Sequence, residues 1–542
     1  MAVEQITYKN IDPKVRRMIM LGLGLAMLIA CFDGTIVGTC APRIIEDLHG
    51  AELYAWMITA YLLCETVMIP ISGKLSDLYG RKPLFLIGLG LFVAGSFVAG
   101  LSTSMEMFIM CRAVQGLGGG ILIPVATAAV ADLYSPRERA KMQGILGAVF
   151  GIGSGIGPLI GGYITEYISW HWIFYINIPM AVVATLLTLK KFPTPVGDGS
   201  AVHIDKLGIL LLSVMLIDVL LFFQFGGDEF EWVSITSAAM IALALALLAV
   251  FVKVENKAVE PIIAPHLIHN KVVLKSALFM FIFGLAMMGA MTYSSMFSIY
   301  VLGFSVLDSA FYSLALVFGM MITALSSGAL LSRTGYRIWV IVGPVVAFIG
   351  MYLLSKMTLG TSVEYYVMCL FVFGIGLGCM MGVIMTAVQN SSKQSEIGMT
   401  TSAVNLIKSV GATIGTAVFA MLITNKIDGE LHKLLPASIY DLVPHNSGVL
   451  DLLVPDSTGN PQITNVVIQV LGLTPEEIPQ HIAEITAMTM QTIQEVLLAF
   501  ANSVDFAFIA GGCLILLLVL IGIVYKVEEN HDEDNEVLLP EE

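Results

Sequence analysis

The sequence contains about fourteen apolar segments, each long enough to cross a membrane as a helix of about 20 residues. With 57% hydrophobic and only 13% charged residues, the chain has too little polar surface for a soluble fold. It is therefore predicted to be an all-α polytopic membrane protein, which excludes a cytosolic enzyme, a nucleic-acid binder, a disordered chain and a secreted scaffold. The approximate limits of the segments are 17–42, 53–72, 83–102, 107–131, 143–165, 171–189, 207–225, 234–252, 276–302, 310–331, 338–356, 365–388, 398–424 and 504–525.

The distribution of positive charge predicts the orientation of these segments. With a cytoplasmic N-terminus, 21 of the 27 Lys and Arg residues lie on the cytoplasmic side and only four lie outside. Cytoplasmic loops are enriched in Lys and Arg, so both termini are predicted to be cytoplasmic in a multi-pass protein of the plasma membrane. The net charge of −14 indicates no anionic partner, because much of it lies in the C-terminal tail and in one polar loop.

The sequence contains neither a cysteine pattern typical of a metal site nor the glycine-rich motif of an ATP-binding site. The seven cysteines lie in apolar segments, without a C-x-x-C pair or a metal-ligand spacing, so they are interpreted as buried apolar residues and no metal site is predicted. No G-x-x-x-x-G-K-[ST] motif occurs, which argues against ATP-driven pumping.

A degenerate repeat relates the two parts of the chain. The loop after the second segment reads GKLSDLYGRK from Gly73 to Lys82, and the loop after the tenth reads GALLSRTGYR from Gly328 to Arg337. Two parallel six-helix repeats with two inserted helices explain this offset. The predicted parts are a six-helix bundle (1–189), a linker with two extra transmembrane helices (190–270), a second bundle (271–526) and an acidic cytoplasmic tail (527–542).

A polar stretch, about 426–500, separates the last two segments and would face outside. The sequence from Thr474 to Glu477 has the pattern of a capping box with Pro at the first helical position. The run from Ile478 to Phe500 predicts an amphipathic helix or a pair of helices. This stretch is interpreted as a packed cap, with a direct functional role as the alternative.

The loop after the second segment combines residue types that suit a charged gate. Its two glycines allow a tight turn, and the carboxylate of Asp77 can accept hydrogen bonds from helix N-termini or from Arg side chains of the loop after the fourth segment. An ordinary basic loop is the alternative. The predicted gating residues are Gly73, Asp77, Gly80, Arg81, Lys82, Arg137 and Arg139.

The fifth segment carries two series of glycines spaced four residues apart, together with a proline. Each series allows the close approach of a neighbouring helix, and the proline permits a bend. The pattern favours a hinge between the two halves over a static packing stripe. The residues concerned are Gly147, Gly151, Gly155, Gly153, Gly157, Gly161, Gly162 and Pro158.

Three charged residues, Asp33, Glu65 and Arg112, lie inside apolar segments at overlapping predicted depths. A charge in a membrane is costly and faces a partner or a wet cavity. Burial favours the neutral form of a carboxyl, whereas a neighbouring guanidinium favours the charged form, so such a site suits a proton carrier. A buried ion pair that fixes the helix register is the alternative.

Together these motifs resemble the drug:proton antiporter branch of the major facilitator superfamily, in its fourteen-span form. The resemblance covers essentially all of residues 15–525. It is carried by FDGTIV from Phe32 to Val37, the loop from Gly73 to Lys82, RAVQG from Arg112 to Gly116, the glycine-rich fifth segment, WHWIFYINIP from Trp170 to Pro179 and NLIKSVGATIG from Asn405 to Gly415.

The resemblance implies two helical bundles that rock about a central cavity and export hydrophobic, cationic or neutral drugs as protons enter. The expected partners are small hydrophobic substrates, protons and membrane lipid, without nucleic acid. The energy source is the proton gradient, no cofactor is expected, and the protein is expected to be a monomer. The predicted proton-coupling and substrate residues are Asp33, Glu65, Arg112, Gln115 and Asn405.

Departures from the family pattern leave the charge of the cargo open. Lys408 stands where the family usually has Arg, and Thr59 is uncharged where some cation exporters carry an acid. Glu65 and Asp218 have no known family counterpart. The first alternative is a dedicated exporter of one metabolite, lipid or siderophore on the same fold, and the second is a non-transporting membrane sensor or scaffold.

Overall fold

The computed structural model describes residues 11–189, 192, 204–227, 229–444, 461–473 and 477–525. Thirteen helices in these ranges are long and apolar enough to cross a membrane, and a shorter apolar helix takes the sixth position. The predicted all-α membrane fold is therefore confirmed.

The helices follow the predicted segments closely along most of the chain. The first half contains α1 (Pro13–Leu48), α2 (Tyr54–Tyr79), α3 (Arg81–Ala99), α4 (Met105–Leu133), α5 (Pro136–Tyr167) and α6 (Trp172–Thr188). Two inserted helices follow, α7 (Lys206–Phe225) and α8 (Ile235–Glu255). The second half contains α9 (Lys271–Tyr300), α10 (Val306–Thr334), α11 (Tyr336–Leu354), α12 (Val363–Asn390), α13 (Ile397–Leu434) and α14 (Ile482–Ile523).

The end of the chain differs from the prediction. The amphipathic helix expected at 478–500 and the last span expected at 504–525 form one continuous helix of 42 residues, α14. At 1.5 Å per residue this helix is roughly 63 Å long, so it extends well beyond a hydrocarbon core of about 30 Å. Of the predicted capping box only Glu477 is among the described residues, and the predicted acidic tail lies outside them.

Short polar side chains begin several of these helices, because the first amides of a helix have no acceptor within it. Ser104 accepts from the amide of Met107 (3.3 Å) at the start of α4. Ser135 and Glu138 form a capping box at the start of α5, and Asn270 accepts from two amides of α9. These signals are local, although the hydropathy limits predicted from the sequence place the starts of α5 and α9 several residues too late.

Each half packs around its own apolar core. In the first half α1 packs against α5, and α4 packs against α2 and α3; in the second half α9 packs against α13, and α12 packs against α10 and α11. The helices α7 and α8 pack against each other, and α7 also contacts α2 and α13 through an apolar cluster that includes Ile69, Leu212 and Leu406.

The two halves meet mainly along two helix pairs, α2 with α13 and α5 with α10. The first glycine of each repeated loop allows one of these close approaches. Gly73 packs against Ser402 of α13, and Gly328 packs against the backbone of Ala140 in α5, where a Cβ atom would have no room.

The second glycine of each repeated loop makes a sharp turn into the next helix. Gly80 and Gly335 adopt φ angles of 88° and 74°, which glycine adopts far more readily than other residues. The sequence repeat therefore corresponds to a repeated structural element. The end of the molecule at which both loops lie is called the gating end below.

Candidate functional site

The main polar feature of the first half is a buried ion pair between Asp33 in α1 and Arg112 in α4. The guanidinium donates to Oδ2 of Asp33, and the two side chains are 0% and 2% exposed. Gln115, one turn after Arg112, accepts from the same guanidinium (3.0 Å) and donates to Oδ1 of Asp33 (3.1 Å). Three of the predicted site residues therefore lie together, in what we call the Asp33 cluster.

Two further polar residues join this cluster, and sequence reasoning missed both. Asn177 in α6 donates to Oδ1 of Asp33 (3.2 Å), and Ser96 in α3 accepts from Gln115 (2.7 Å). Asn177 lies within one of the stretches that carry the family resemblance, so its sequence context was a usable signal. Nothing in the sequence around Ser96 marks it, because it is one small polar residue in an apolar helix.

Tyr61 in α2 covers the cluster. Its ring centroid lies 4.2 Å from the guanidinium carbon of Arg112, within cation–π range, and its hydroxyl donates to the carbonyl of Ala30 (3.2 Å). Within the described part of the chain, Nε of Arg112 and Oδ1 of Asn177 have no hydrogen-bond partner. Buried polar atoms are normally paired, so these two atoms leave the cluster with one donor and one acceptor that are not used in this conformation.

Glu65 in α2 lies beside the cluster but outside its hydrogen bonds. Its side chain is half-buried, and no hydrogen-bond or ion-pair partner contacts its carboxylate among the residues that the structure describes. Asp33, Arg112 and Lys408 of α13 lie close enough to act on Glu65 electrostatically. The three intramembrane charges noted in the sequence thus share one region, and Lys408 of the second half joins them.

Asn405 in α13 is buried about one turn before Lys408, and its Nδ2 atom has no partner in the described ranges. No hydrogen bond connects it to the Asp33 cluster within those ranges, so its role in the site stays a prediction.

Asp218 in α7 is also buried, and one of its carboxylate oxygens is likewise unpaired among the residues described.

At the gating end, Asp77 joins the two halves. Its Oδ1 accepts from the amide of Gly398 (2.9 Å) and its Oδ2 from the amide of Met399 (2.7 Å), both in the first turn of α13. Arg81, at the start of α3, pairs with the same carboxylate (2.6 Å). The predicted contact with a helix N-terminus is observed, and the helix that provides it belongs to the other half.

The predicted pairing of Asp77 with Arg137 or Arg139 was wrong. The carboxylate is already occupied by the two amides and by its neighbouring guanidinium, and Arg137 lies at the exposed start of α5. Arg139 connects the halves in another way, since it donates to the side chain of Asn390 in α12 (3.1 Å).

Asp132, at the end of α4, belongs to the same set of contacts, and the sequence did not single it out. It accepts from Nε of Arg81 (2.8 Å) and from the side-chain amide of Gln394 (2.9 Å), just before α13. Lys82, the other predicted basic residue, is half-buried. One guanidinium, two carboxylates and the N-terminus of α13 thus form a network of contacts between the halves, and its role as a gate stays a prediction.

The two glycine series of α5 face different helices. A side chain in the first series would meet α10 of the second half; this series comprises Gly147, Gly151 and Gly155, and Gly162 faces α10 as well. A side chain in the second series would meet α1 of the same half; this series comprises Gly153, Gly157 and Gly161. Pro158 lies inside α5. One series therefore belongs to the interface between the halves, and the hinge role stays a prediction.

The hydrogen bonds between the two halves are confined to one part of the molecule. In the ranges that the structure describes, they lie at the gating end or near the middle of the bundle, where Thr66 of α2 contacts Ser409 of α13 (3.1 Å). The conformation is therefore closed at the gating end.

Residues 23–416 match the family model of the Major Facilitator Superfamily. The chain belongs to this superfamily. The multidrug transporter protein MdtP of Bacillus subtilis (strain 168) is 32% identical over 515 residues, which are 93% of each chain. Multidrug resistance protein 3 of the same organism is 32% identical over 416 residues, which cover 77% of this chain and 81% of that relative. Both names agree with the resemblance to the drug:proton antiporter branch.

Solved structures of the superfamily have the same fold. The human organic anion transporter MFSD10 (TETRAN) has a TM-score of 0.60 at 14% identity, covering 94% of this chain and all of that one. The proton:xylose symporter XylE has a TM-score of 0.60 at 12% identity, covering 95% of this chain and 96% of that one. At such low sequence identities these structures show a shared fold and nothing about cargo or mechanism. This member of the superfamily is a multi-pass membrane transporter and not an enzyme.

Proposed function

We propose that this transporter is a proton-coupled efflux antiporter, which exports hydrophobic, cationic or neutral compounds across the plasma membrane by alternating access. The observation that carries the proposal is the buried Asp33–Arg112 pair with a second carboxylate, Glu65, beside it. The names of the relatives, multidrug transporter and multidrug resistance protein, support the direction and the type of cargo.

Proton coupling follows from the competition of two carboxylates for the same positive charges. When Asp33 binds a proton, it loses its charge, and its ion pair with Arg112 is weakened. The guanidinium then interacts more strongly with Glu65, which lies within its electrostatic reach, and a cation bound at Glu65 is expelled. Binding of a cationic cargo at Glu65 has the opposite effect, because it returns Arg112 to Asp33 and releases the proton.

In this proposal α1–α6 and α9–α14 are the two moving bundles. The excess of Lys and Arg in the loops supports a cytoplasmic position for the gating end and for both termini. The gate formed by Asp77, Arg81 and Asp132 then closes the cytoplasmic side in the conformation described here. Opening this gate while the other side closes would let cargo bind from the cytoplasm. Closing it again while the other side opens would release the cargo outside, without a cofactor.

The test is cargo-induced proton release from the purified protein in weakly buffered detergent solution, followed with a pH-indicator dye. We expect tetraphenylphosphonium to release protons from the wild-type protein, because the cation favours the ionised carboxylates. Asp33→Asn should bind the cation without releasing protons. Binding without proton release by the wild type would overturn the proposal, and so would export from proteoliposomes that persists after the pH gradient is collapsed.

A further inference from the structure

Lys408 of α13, in the second half of the protein, contacts a residue of the first half. Its Nζ lies 5.1 Å from the centroid of the Phe150 ring in α5, a cation–π contact between the two halves. Lys408 follows the first residue of α13 by 11 positions, or roughly 16 Å at 1.5 Å per residue. A charge so far inside a membrane needs a partner or a polar cavity.

The charged partner on the first half is Glu65. The hydrogen bond between Thr66 and Ser409 (3.1 Å) joins the residues that directly follow Glu65 and Lys408, so the two helices bring the charged side chains to the same level. Lys408 and Glu65 carry opposite charges and attract each other electrostatically. They form no direct ion pair within 4 Å in the described part of the chain, and the Glu65 carboxylate is left for another partner.

An aromatic face and a carboxylate that act on the same ammonium group form an arrangement that suits organic cations, because both attract positive charge. We propose that Phe150 and Glu65 form the subsite for the positive group of the cargo, and that Lys408 occupies this subsite when no cargo is bound. This inference rests on the proposed export function and names the part of the site that recognises charge.

The physical consequence is a competition between a tethered and a free cation. The Lys408 ammonium is part of the protein, so its effective concentration at the subsite is high. A cationic cargo must displace it, whereas a neutral cargo that binds the surrounding apolar surface need not. Lys408 therefore weakens the binding of cationic cargo but not that of neutral cargo. Its displacement also breaks a contact between the two halves.

The experiment compares two probes on the full-length protein in lipid nanodiscs. Tetraphenylphosphonium is the cation and triphenylphosphine oxide is its neutral relative, and the binding of each is measured by equilibrium dialysis. Lys408→Met removes the internal competitor, so tetraphenylphosphonium should bind roughly tenfold more tightly, with the affinity for the neutral probe within about twofold. Lys408→Arg keeps the charge and should resemble the wild type.

The ring and the carboxylate are tested in the same background. Adding Phe150→Leu or Glu65→Gln to Lys408→Met should remove most of the gain for the cation, while the neutral probe is again little affected. If Lys408→Met is poorly folded, Lys408→Gln carries the same expectation, with the melting temperature as the check on folding.

Two results would overturn the inference: unchanged or weaker binding of tetraphenylphosphonium by folded Lys408→Met, or an equal gain for the cationic and the neutral probe. These results differ from a failure of the proposed function. If the wild type releases no protons on binding cargo, the antiport proposal fails; if it does, and Lys408→Met binds the cation as the wild type does, only the competition fails.

Discussion

The carboxylate of Asp77 in α2 accepts a 2.7 Å hydrogen bond from the backbone amide of Met399, in the first turn of α13. The first amides of a helix have no acceptor within it, and the helix dipole favours a negative charge there. Asp77 therefore caps a helix of the other half in the conformation that is closed at the gating end.

We expect Asp77→Asn to open the gating end. Asparagine keeps one acceptor but loses the charge, and each charge-assisted hydrogen bond contributes about 1.5–3 kcal/mol. The conformational equilibrium should therefore shift away from the closed gate. Spin labels are attached at Tyr79 and Lys393, on opposite sides of the gate. The distance between them, measured by double electron–electron resonance, should become longer.

The matched control is Asp12→Asn. Asp12 also caps a helix, because it accepts from the amide of Lys14 (2.7 Å), but it does not join the two halves. The control should leave the spin distances unchanged. Unchanged distances in Asp77→Asn as well would contradict the role of this cap as a gate.

A second prediction separates the two glycine series of α5. Gly155→Ala places a methyl group against Val317 of α10, between the halves, whereas Gly157→Ala places one against Thr35 of α1, within a half. Overpacking typically costs about 1–3 kcal/mol. We expect Gly155→Ala to disfavour the closed gating end at a nearly unchanged melting temperature, and Gly157→Ala to lower the melting temperature. If both variants lower the melting temperature equally without moving the gate, α5 is a static packing element.

A third prediction concerns the buried pair of Asp33 and Arg112. Asp33→Asn and Arg112→Gln each leave one buried charge without its counter-ion, which costs about 3–5 kcal/mol. The double variant leaves neither charge, so its melting temperature in nanodiscs should exceed that of both single variants. A double variant that is no more stable than either single variant would show that the two charges are not coupled.

A fourth prediction tests the choice of cargo by Glu65. Glu65→Gln keeps the shape of the side chain and removes its charge, so export of cations from proteoliposomes should be lost while export of neutral compounds persists. The control is Asp218→Asn, which removes another buried membrane carboxyl that has no hydrogen bond to the Asp33 cluster among the residues described. Equal loss of cationic and neutral export in Glu65→Gln would mean that Glu65 does not select the charge of the cargo.

Much of the architecture could be predicted from the sequence because its determinants are local. Length and hydropathy mark each membrane helix, and short polar residues such as Ser104 and Asn270 mark helix starts. Gly80 makes the predicted turn on its own backbone. Gly73 lies within α2 and instead allows the close approach of α13. The continuity of α14 was missed, because hydropathy marks only its second half as a span and the amphipathic first half was predicted as a separate helix or pair of helices.

The partners of the functional residues depended on the tertiary structure. The sequence placed Asp33, Glu65 and Arg112 at overlapping depths, but only helix packing added Ser96 and Asn177.

The same limit applies between the halves. The spacing within the loop after α2 identified Asp77 as an acceptor, but not α13 as the helix that it caps, and no local pattern placed Lys408 over Phe150. A short stretch of sequence determines its own helix, turn or cap through nearby backbone and side-chain interactions. Which residues from distant helices meet depends on how all the helices pack together, and for this chain only the tertiary structure decided that.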